Sequence, residues 1–488
     1  MANSKFNLFR FSGKMKILHL SWCAFFITFL VWFNVAPLIS LLAVSLDLTQ
    51  NQLKTLLILN VALTIPARVI IGMLTDRFGP KRVYSLLLFA CSVPCFIFAF
   101  ADSFELLAFA RLLLGCIGAG FVIGIRMISE WFPVKELGLA QGIYAGWGNF
   151  GSAAAALTLP TLAILFGGEN GWRYAIGITG VISLTFAFIY YINVSDTPKG
   201  ASYYKTSKIN AIAVTSKRDL YLLLIFKLPI YAALALLTWK LSPSGVAMLT
   251  TQVTYLVYFT LSVVMLSDFM QTIRANKSLF SHHPPEHEHY DFKQVAVLCL
   301  LYFSTFGSEL AVVSMLPLFF AQTFEVGVPE AGILASSFAF MNLMSRPAGG
   351  WLSDRFGRKP ILFTLTIGLA FSYFGVAQID STWSITAAIL LIMLCSFFVQ
   401  GGEGAVFAVV PLIKRRFTGQ IAGITGAYGN AGAVFFLTVY SITSVQIFFY
   451  VITASAVLSF IALFFMTEPQ GYISESNENG TITRIPVG

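Results

Sequence analysis

Hydrophobic residues in this chain form long runs that are separated by short polar stretches. A helix needs about 20 apolar residues to cross the roughly 30 Å hydrocarbon core of a bilayer, whereas a strand of an outer-membrane barrel needs only about 10 alternating residues. The runs therefore predict membrane-spanning helices, about fourteen in all. They cover 17–42, 52–74, 83–101, 106–131, 138–166, 173–194, 219–239, 245–268, 293–323, 329–352, 361–377, 385–411, 420–441 and 445–466.

The composition agrees with this pattern. Of the 488 residues, 57% are hydrophobic and only 11% are charged, against about 25% charged residues in soluble proteins. A chain this apolar has too little polar surface to cover itself in water. The first run is too long for the apolar part of a signal peptide, and no clear small-residue cleavage site follows it, so we expect it to be the first span.

The net charge of +9 could suggest a nucleic-acid partner, but the position of the basic residues argues against one. They cluster before the first span and in alternate gaps thereafter, and the other gaps hold mostly acids. This is the positive-inside rule. It predicts a multi-pass protein of the cell inner (plasma) membrane, with both termini cytoplasmic, lipids as its surroundings and no nucleic acid. The basic gaps include Lys14, Arg77, Lys81, Arg218 and Arg355, and the others include Asp47, Asp102, Glu169, Glu325 and Asp380.

The chain also repeats itself. Arg68-x-x-x-Gly-x-x-x-Asp76-Arg77-x-Gly recurs as Arg346-x-x-x-Gly-x-x-x-Asp354-Arg355-x-Gly, with a constant offset of 346 − 68 = 354 − 76 = 278. Gly-Asn149-x-Gly recurs as Gly-Asn430-x-Gly, with an offset of 430 − 149 = 281. Two homologous halves of about six helices explain both offsets. Parallel repeats of this kind are one plan of secondary transporters, in which the substrate binds near the midplane.

The repeat predicts the domain organisation. The first half covers residues 1–195, and the second covers 293–467. A cytoplasmic linker at 196–292 carries the two extra helices, and their even number keeps both halves in the same orientation. The polar tail at 468–488 is expected to be disordered and cytoplasmic.

Two motifs resemble a known family. Gly-x-x-x-Asp-Arg-x-Gly-Arg-Lys at 350–359 resembles the signature loop of the major facilitator superfamily, and the copy at 72–81 departs from it at Pro80. The paired Gly-Asn-x-Gly stretches resemble the nitrate signature of the nitrate/nitrite porter family, and the insertion looks most like the cyanobacterial-type nitrate permeases. The resemblance implies an all-α membrane protein with the major facilitator fold, in which two extra helices lie between two six-helix repeats.

Arg68 and Arg346 are the first candidates for substrate binding. A guanidinium inside the bilayer costs several kcal/mol on insertion scales, and the duplicated position would let the two face each other across a pseudo-two-fold axis. The planar donor fork of arginine suits a planar oxyanion such as nitrate. The alternative is that each side chain snorkels to the cytoplasmic face. The family's two substrate-binding arginines fall on these positions.

Asn149 and Asn430 lie among glycines that allow close helix contacts, so they either pack helices, donate hydrogen bonds to an oxyanion, or do both. The resemblance aligns Asn149 with a substrate-contacting asparagine. It also implies that Phe121 and Phe407 sandwich the flat anion and that Tyr302 donates to it.

Glu309 and Glu403 are acids well inside predicted spans. A buried carboxylate tends to take up a proton and is a natural proton carrier. Glu309 follows Tyr302 by seven residues and so lies on nearly the same helix face, which makes it the candidate for proton coupling. The alternative for each acid is a static ion pair with an arginine.

The signature loops supply candidates for gating: Asp76, Arg77, Asp354 and Arg355. Arg126 and Glu130 are spaced for an i, i+4 ion pair, and Arg111 is expected to snorkel or to pack its helix. The histidine-rich run at 282–289 has no partner cysteines and is not expected to hold a metal.

The sequence therefore predicts a secondary active transporter that imports nitrate, and with it nitrite, by alternating access coupled to protons. Nitrate/nitrite antiport and transport of another small anion remain open, as do a membrane sensor and a membrane enzyme. No cofactor or metal is expected, and the protein is expected to be a monomer.

Overall fold

The computed structural model describes residues 6–49, 52–53, 56, 59–61, 63–167, 170–201, 203, 212–245, 247, 249–280, 290–326, 328–469, 472–476 and 482–486. Nearly all secondary structure in these residues is helical, as the hydrophobic runs predict.

The first repeat contains eight described helices. Its fourth predicted span is interrupted by a 3₁₀ stretch, Gly115–Ala119, which is rich in glycine. Such mid-helix stretches often mark functional sites. The helices are α1 (Gly13–Trp32), α2 (Ile39–Ser45), α3 (Thr64–Phe78), α4 (Pro80–Ala99), α5 (Phe104–Leu114), α6 (Gly120–Trp131), α7 (Val134–Phe166) and α8 (Gly171–Asn193).

The inserted pair consists of α9 (Lys217–Leu241) and α10 (Thr251–Ala275). The second repeat follows with α11 (Phe292–Phe324), α12 (Val328–Phe340), α13 (Asn342–Phe356), α14 (Arg358–Val376), α15 (Ile385–Ile413), α16 (Thr418–Ile442) and α17 (Val445–Leu463).

Hydroxyl side chains set the start of several helices. The Ser103 hydroxyl accepts a hydrogen bond from the Leu106 N–H at the start of α5. In four other helices, a hydroxyl just before the helix likewise accepts from the N–H three residues later. These caps satisfy N–H groups that have no partner within the helix. The other capping residues of this type are Ser216, Thr250, Ser384 and Ser444.

Thirteen helices of the described residues are long and apolar enough to cross a membrane. The remaining predicted span, 329–352, is divided into α12 and α13 at Met341. The second of these helices contains Arg346 and Pro347. A proline ring inside a helix removes a backbone hydrogen bond, and the apolar character of the run falls at this point.

Each repeat turns from its second to its third predicted span at a glycine with positive φ, Gly79 (+87°) and Gly357 (+93°). A carboxylate from beyond the last helix of the same half caps the helix that follows. Asp196 accepts from the Lys81 N–H at 2.7 Å, and Glu468 accepts from the Arg358 N–H at 2.8 Å. Burial raises the pKa of the Asp196 carboxyl. The repeat seen in the sequence is thus a repeat in local structure.

The inserted helices are joined by an ion pair between Lys227 on α9 and Asp268 on α10, with an N–O distance of 2.7 Å. Tyr231 donates to the same carboxylate at 3.0 Å. The pair is also attached to α16, because the Tyr428 hydroxyl donates to the Phe226 carbonyl at 2.8 Å.

The chain divides into two compact units. The first consists of Met1–Ile209, Arg415–Gly423 and Gln470–Gly488, and the second of Asn210–Lys414 and Ile424–Pro469. The start of α16, although it lies in the second sequence half, therefore belongs to the first unit.

The polar tail differs from the disorder that its composition predicts. Strands β1 (Tyr472–Ser476) and β2 (Ile482–Pro486) pair antiparallel. In this pairing Tyr472 lies opposite Pro486 and Ser476 opposite Ile482.

Candidate functional site

Arg68 lies on α3 with its side chain completely buried in the first unit. Its Nε donates to the Gly118 carbonyl at 3.3 Å, and its guanidinium carbon lies 5.6 Å from the centre of the Phe121 ring. Gly118 belongs to the 3₁₀ stretch, and Phe121 follows at the start of α6. The structure thus buries this arginine against a ring and does not extend it to a surface.

Further aromatic rings surround Phe121. The Phe25 ring centre lies 5.4 Å away, and the Tyr144 ring is stacked at 6.2 Å. Two glycines make room for these rings. A Cβ on Gly124 would stand 2.0 Å from the Tyr144 ring, and one on Gly148 would stand 2.0 Å from the Phe25 ring. The first glycine of the Gly-Asn-x-Gly motif is therefore needed to seat a ring beside the Arg68 site.

Arg346 on α13 has an equivalent aromatic environment in the second unit. Its guanidinium carbon lies 5.7 Å from the Phe306 ring centre. Tyr302 stacks on Phe306 at 5.0 Å and meets the Phe407 ring edge-on at 4.8 Å. Arg346 and these three rings are all at least 98% buried. The arginine at the same repeat position thus lies beside a phenylalanine ring in both halves, although the two rings come from different helices of the repeat.

Two carboxylates contact Arg346. Its Nη2 donates to Glu309 Oε2 at 2.9 Å and forms an ion pair with Glu403. Asn342 donates to the other Glu309 oxygen at 2.6 Å. These groups come from α11, α13 and α15 and are buried. The ion-pair alternative of the sequence prediction is therefore present for both acids.

Glycines also allow the close approach of helices here. A Cβ on Gly404 would stand 2.3 Å from the Arg346 carbonyl oxygen, and one on Gly429 would stand 2.7 Å from the Tyr302 ring. As in the first half, the first glycine of the motif seats an aromatic residue of the site.

Asn149 and Asn430 are both buried, on α7 and α16. The Asn430 amide donates to the Gly426 carbonyl of its own helix at 3.3 Å, and the Asn149 carbonyl accepts from Ser152. These contacts fit the helix-packing interpretation, and substrate contact by either asparagine stays a prediction.

The first signature loop is built around Asp76. Its buried carboxylate accepts from the N–H groups of Gly419 and Gln420 at 2.9 and 2.8 Å. These are among the first residues of α16, where unpaired N–H groups and the helix dipole favour a negative charge. Gly72 and Gly419 allow this contact, since a Cβ on Gly72 would stand 2.2 Å from the Gly419 carbonyl oxygen.

A buried charge network extends from Asp76. Arg126 lies 3.6 Å from its carboxylate and forms the predicted i, i+4 pair with Glu130 at 3.0 Å. Arg415 lies 3.7 Å from Glu130. The Tyr203 hydroxyl accepts from Arg126 at 3.2 Å, and burial raises its pKa. The contacts of this network all lie in the first unit.

The second signature loop has a different environment. Asp354 is partly buried and pairs with Arg358 at 3.4 Å, one helical turn away. Arg355 is exposed beside Trp351, and Arg77 of the first copy lies over Phe78. The two sequence copies thus make different contacts in this structure.

The structure therefore brings together Arg68 with Phe121, and Arg346 with Tyr302, Phe407 and Glu309. Sequence reasoning missed Phe306 and Asn342. Each lies one turn from a chosen residue, Tyr302 or Arg346, and this spacing places it on the same helix face. Arg111, expected to snorkel or to pack its helix, is fully buried and donates to the Trp32 carbonyl at 2.9 Å.

Among the described residues no group of His, Cys, Asp and Glu side chains could hold a metal ion. The histidine-rich run at 282–289 lies outside the described residues.

Comparison with known proteins assigns the family. The model of the Major Facilitator Superfamily matches residues 21–276 and 298–485. The chain is similar to the nitrate/nitrite transporter NrtP of Picosynechococcus sp., with 44% identity over 97% of both chains. It is equally similar to the NrtP of Nostoc punctiforme, with 44% identity over 98% of both chains.

Among solved structures, the human organic anion transporter MFSD10 shares the fold, with a TM-score of 0.61 at 14% identity over 93% of this chain and 100% of that one. Likeness at this identity shows the fold alone. Together with the near full-length relatives, it confirms the fold that the internal repeat and the signature loops predict. The chain therefore belongs to the nitrate/nitrite porter family of the Major Facilitator Superfamily and is a multi-pass membrane transporter, not an enzyme.

Proposed function

We propose that this protein imports nitrate, and also nitrite, across the cell inner (plasma) membrane by alternating access. The observation that carries the proposal is a buried arginine at the same repeat position in each half, with a phenylalanine ring beside it. Arg68 lies over Phe121, and Arg346 lies over Phe306. The names of the relatives over nearly the full chain support the same substrates.

The chemistry of this arrangement suits a flat anion. A guanidinium holds its N–H donors in one plane, and two of these N–H groups can pair with two oxygens of nitrate or nitrite. Aromatic rings beside each guanidinium would favour a planar ion over tetrahedral sulfate or phosphate. Phe121, Phe407 and Tyr302 would contact the anion through their rings or hydroxyl, and Asn149 and Asn430 would donate further hydrogen bonds to it.

Import needs an energy source. Moving one negative charge into a cell against 100 mV costs about 2.3 kcal/mol. Entry of two protons with each nitrate reverses the sign of the charge that crosses and makes uptake favourable. Coupling is proposed at the carboxylates that contact Arg346: the sequence predicts Glu309 for this role, and Glu403 pairs with the same guanidinium.

Gating is assigned to the signature loops. We propose that the contact of Asp76 with the start of α16 forms and breaks during the transport cycle. At another stage of the cycle, Asp354 would exchange its present partner Arg358 for other contacts. Arg77 and Arg355, at the ends of their helices, would adjust these contacts. Lysine and arginine in alternate gaps support cytoplasmic termini, and we propose a monomer that works without a cofactor.

Nitrate/nitrite antiport is the second candidate, because the relatives are named for both anions. Labelled nitrate uptake into cells that lack their own nitrate transport separates the two. Saturable uptake that a protonophore abolishes supports symport. Uptake that persists with a protonophore after the cells are loaded with nitrite supports antiport.

The anion site is tested in the same cells with Arg346→Lys, which keeps the charge and removes the planar fork. We expect uptake to fall at least tenfold. Arg173→Lys is the matched control, because Arg173 pairs with the exposed Asp102 and lies outside the site. No nitrate uptake, although the protein reaches the membrane, refutes the substrate. Equal uptake by the Arg346→Lys variant and the wild type refutes the anion site.

A further inference from the structure

The two acids on Arg346 have different surroundings. Both oxygens of Glu309 are satisfied, one by Arg346 and one by Asn342. Glu403 contacts Arg346 through Oε2, and within the described part of the chain neither of its oxygens has a hydrogen bond beyond this ion pair. Glu403 is nevertheless 99% buried. A buried carboxylate with so few donors is poorly stabilised as an anion.

The charges around Arg346 do not balance. One guanidinium and two carboxylates carry a formal charge of −1 in a buried site. A nitrate ion would make it −2. Anion binding at Arg346 is therefore opposed by electrostatic repulsion as long as Glu403 is charged.

Only the second half carries these acids at the corresponding positions. Gly151 packs against the Phe26 carbonyl in the first half, as Gly432 packs against the Phe303 carbonyl in the second. The first helices of the two halves are therefore offset by 303 − 26 = 277 residues, and Glu309 corresponds to Trp32. The stretches Gly-Ala-Gly-Phe121 and Gly-Ala-Val-Phe407 match Glu403 with Ile117. The acid pair is therefore an addition to one half, not part of the repeated anion site.

We infer that Glu403, and not the sequence candidate Glu309, is the residue that takes up one of the coupled protons when the anion binds at Arg346, while Glu309 stays paired with this arginine and Asn342. A proton from the outside water forms an O–H bond on the Glu403 carboxylate, which removes one negative charge from the site and lets Arg346 bind the anion. When the anion leaves on the inside, the O–H bond breaks, the proton passes to the inside water and the ion pair forms again. The inference deepens the proposed function and rests on it.

Other groups near Glu403 do not replace it in this role. The elements packed against α15 are α11, α12, α13 and α14. Besides Glu309 and Arg346, α11 and α14 contribute the phenols of Tyr302 and Tyr373, and α15 itself carries Cys395. Phenols and thiols ordinarily titrate at about pH 8.5 or above, and all three are buried here. These two phenols and this thiol are therefore expected to keep their protons between pH 5.5 and 8.

The test measures nitrate binding to the purified full-length protein between pH 5.5 and 8. If one proton is taken up with each anion, the Kd of the wild type rises by up to about tenfold per pH unit in the upper part of this range. Glu403→Gln should remove this pH dependence and keep tight binding. Glu309→Gln should keep the pH dependence. A pH-independent wild-type Kd, an unchanged slope in Glu403→Gln or a lost slope in Glu309→Gln overturns the inference.

Transport gives a second readout in proteoliposomes. Glu403→Gln should exchange internal for external nitrate but no longer accumulate it in response to a proton gradient. Asp268→Asn is the matched control, since it replaces another ion-paired carboxylate within a span, and it should still accumulate nitrate. Proton-driven accumulation by Glu403→Gln overturns the inference.

A third measurement does not depend on a variant that folds. Adding nitrate to wild-type protein in weakly buffered solution should remove about one proton from solution per anion bound, and a pH dye reports this. Nitrate binding without proton uptake overturns the inference but leaves the proposed function intact. Absence of nitrate binding and uptake in the wild type at every pH refutes the proposed function itself.

Discussion

Gly404→Ala should damage the Arg346 site without touching any charged group. An added Cβ would stand 2.3 Å from the Arg346 carbonyl oxygen, whereas ordinary contacts are about 3.5 Å. A backbone oxygen cannot rotate away, so α13 and α15 must separate by roughly 1 Å. This shift moves Arg346 relative to Glu403 and Phe407, which α15 carries.

The expected cost of such overpacking is about 1–3 kcal/mol. If half of this free energy destabilises the conformation that binds the anion, the Km for nitrate rises roughly 2- to 10-fold, because 1.4 kcal/mol corresponds to a tenfold change. The assay is nitrate uptake in proteoliposomes together with a thermal melt of the purified protein.

Gly375→Ala is the matched control. It makes the same change on α14 of the same unit, where the added Cβ would meet Leu391 at an ordinary 3.4 Å. Its uptake and melting temperature should equal those of the wild type. If Gly404→Ala also behaves as the wild type, helix contact does not hold Arg346 in place and the reasoning fails.

Three other substitutions test separate parts of the molecule. Asp76→Asn removes the charge at the start of α16, worth about 0.3–2 kcal/mol, and should lower the maximal uptake rate more than Asp354→Asn; equal effects in a side-by-side uptake assay contradict this. Phe306→Ala removes the ring under the second arginine and should weaken nitrate binding by about 2- to 30-fold, as measured by titration; unchanged binding contradicts a role for the ring. Lys227→Met leaves the Asp268 carboxylate without its ammonium partner and should lower the melting temperature by about 2–8 °C, whereas an unchanged melt shows that the ion pair adds no stability.

The positions of the helices could be predicted because bilayer thickness fixes the length of an apolar run. The break at Met341 could not, because average hydrophobicity over 329–352 does not report the backbone geometry of a single residue. The paired strands of the tail were also missed, since composition describes the solubility of a segment and not its backbone pairing.

The arginines could be recognised because the repeat duplicates a costly residue in a membrane. Phe306 could have been found from its spacing of four residues from Tyr302. The partners of Asp76 could not, because Gly419 lies 343 residues further along the chain. Only the fold brings these backbone N–H groups to the carboxylate.

The central claim is the proposal that the chain carries nitrate and that Arg68 and Arg346 both take part in binding it. The most direct measurement is counterflow of labelled nitrate into proteoliposomes that hold only the purified protein and unlabelled nitrate. The account predicts saturable entry of label, which nitrite reduces and sulfate does not. Both Arg68→Lys and Arg346→Lys should lower this entry at least tenfold. Entry of label in neither the wild type nor the variants, or equal entry in all three, would contradict it.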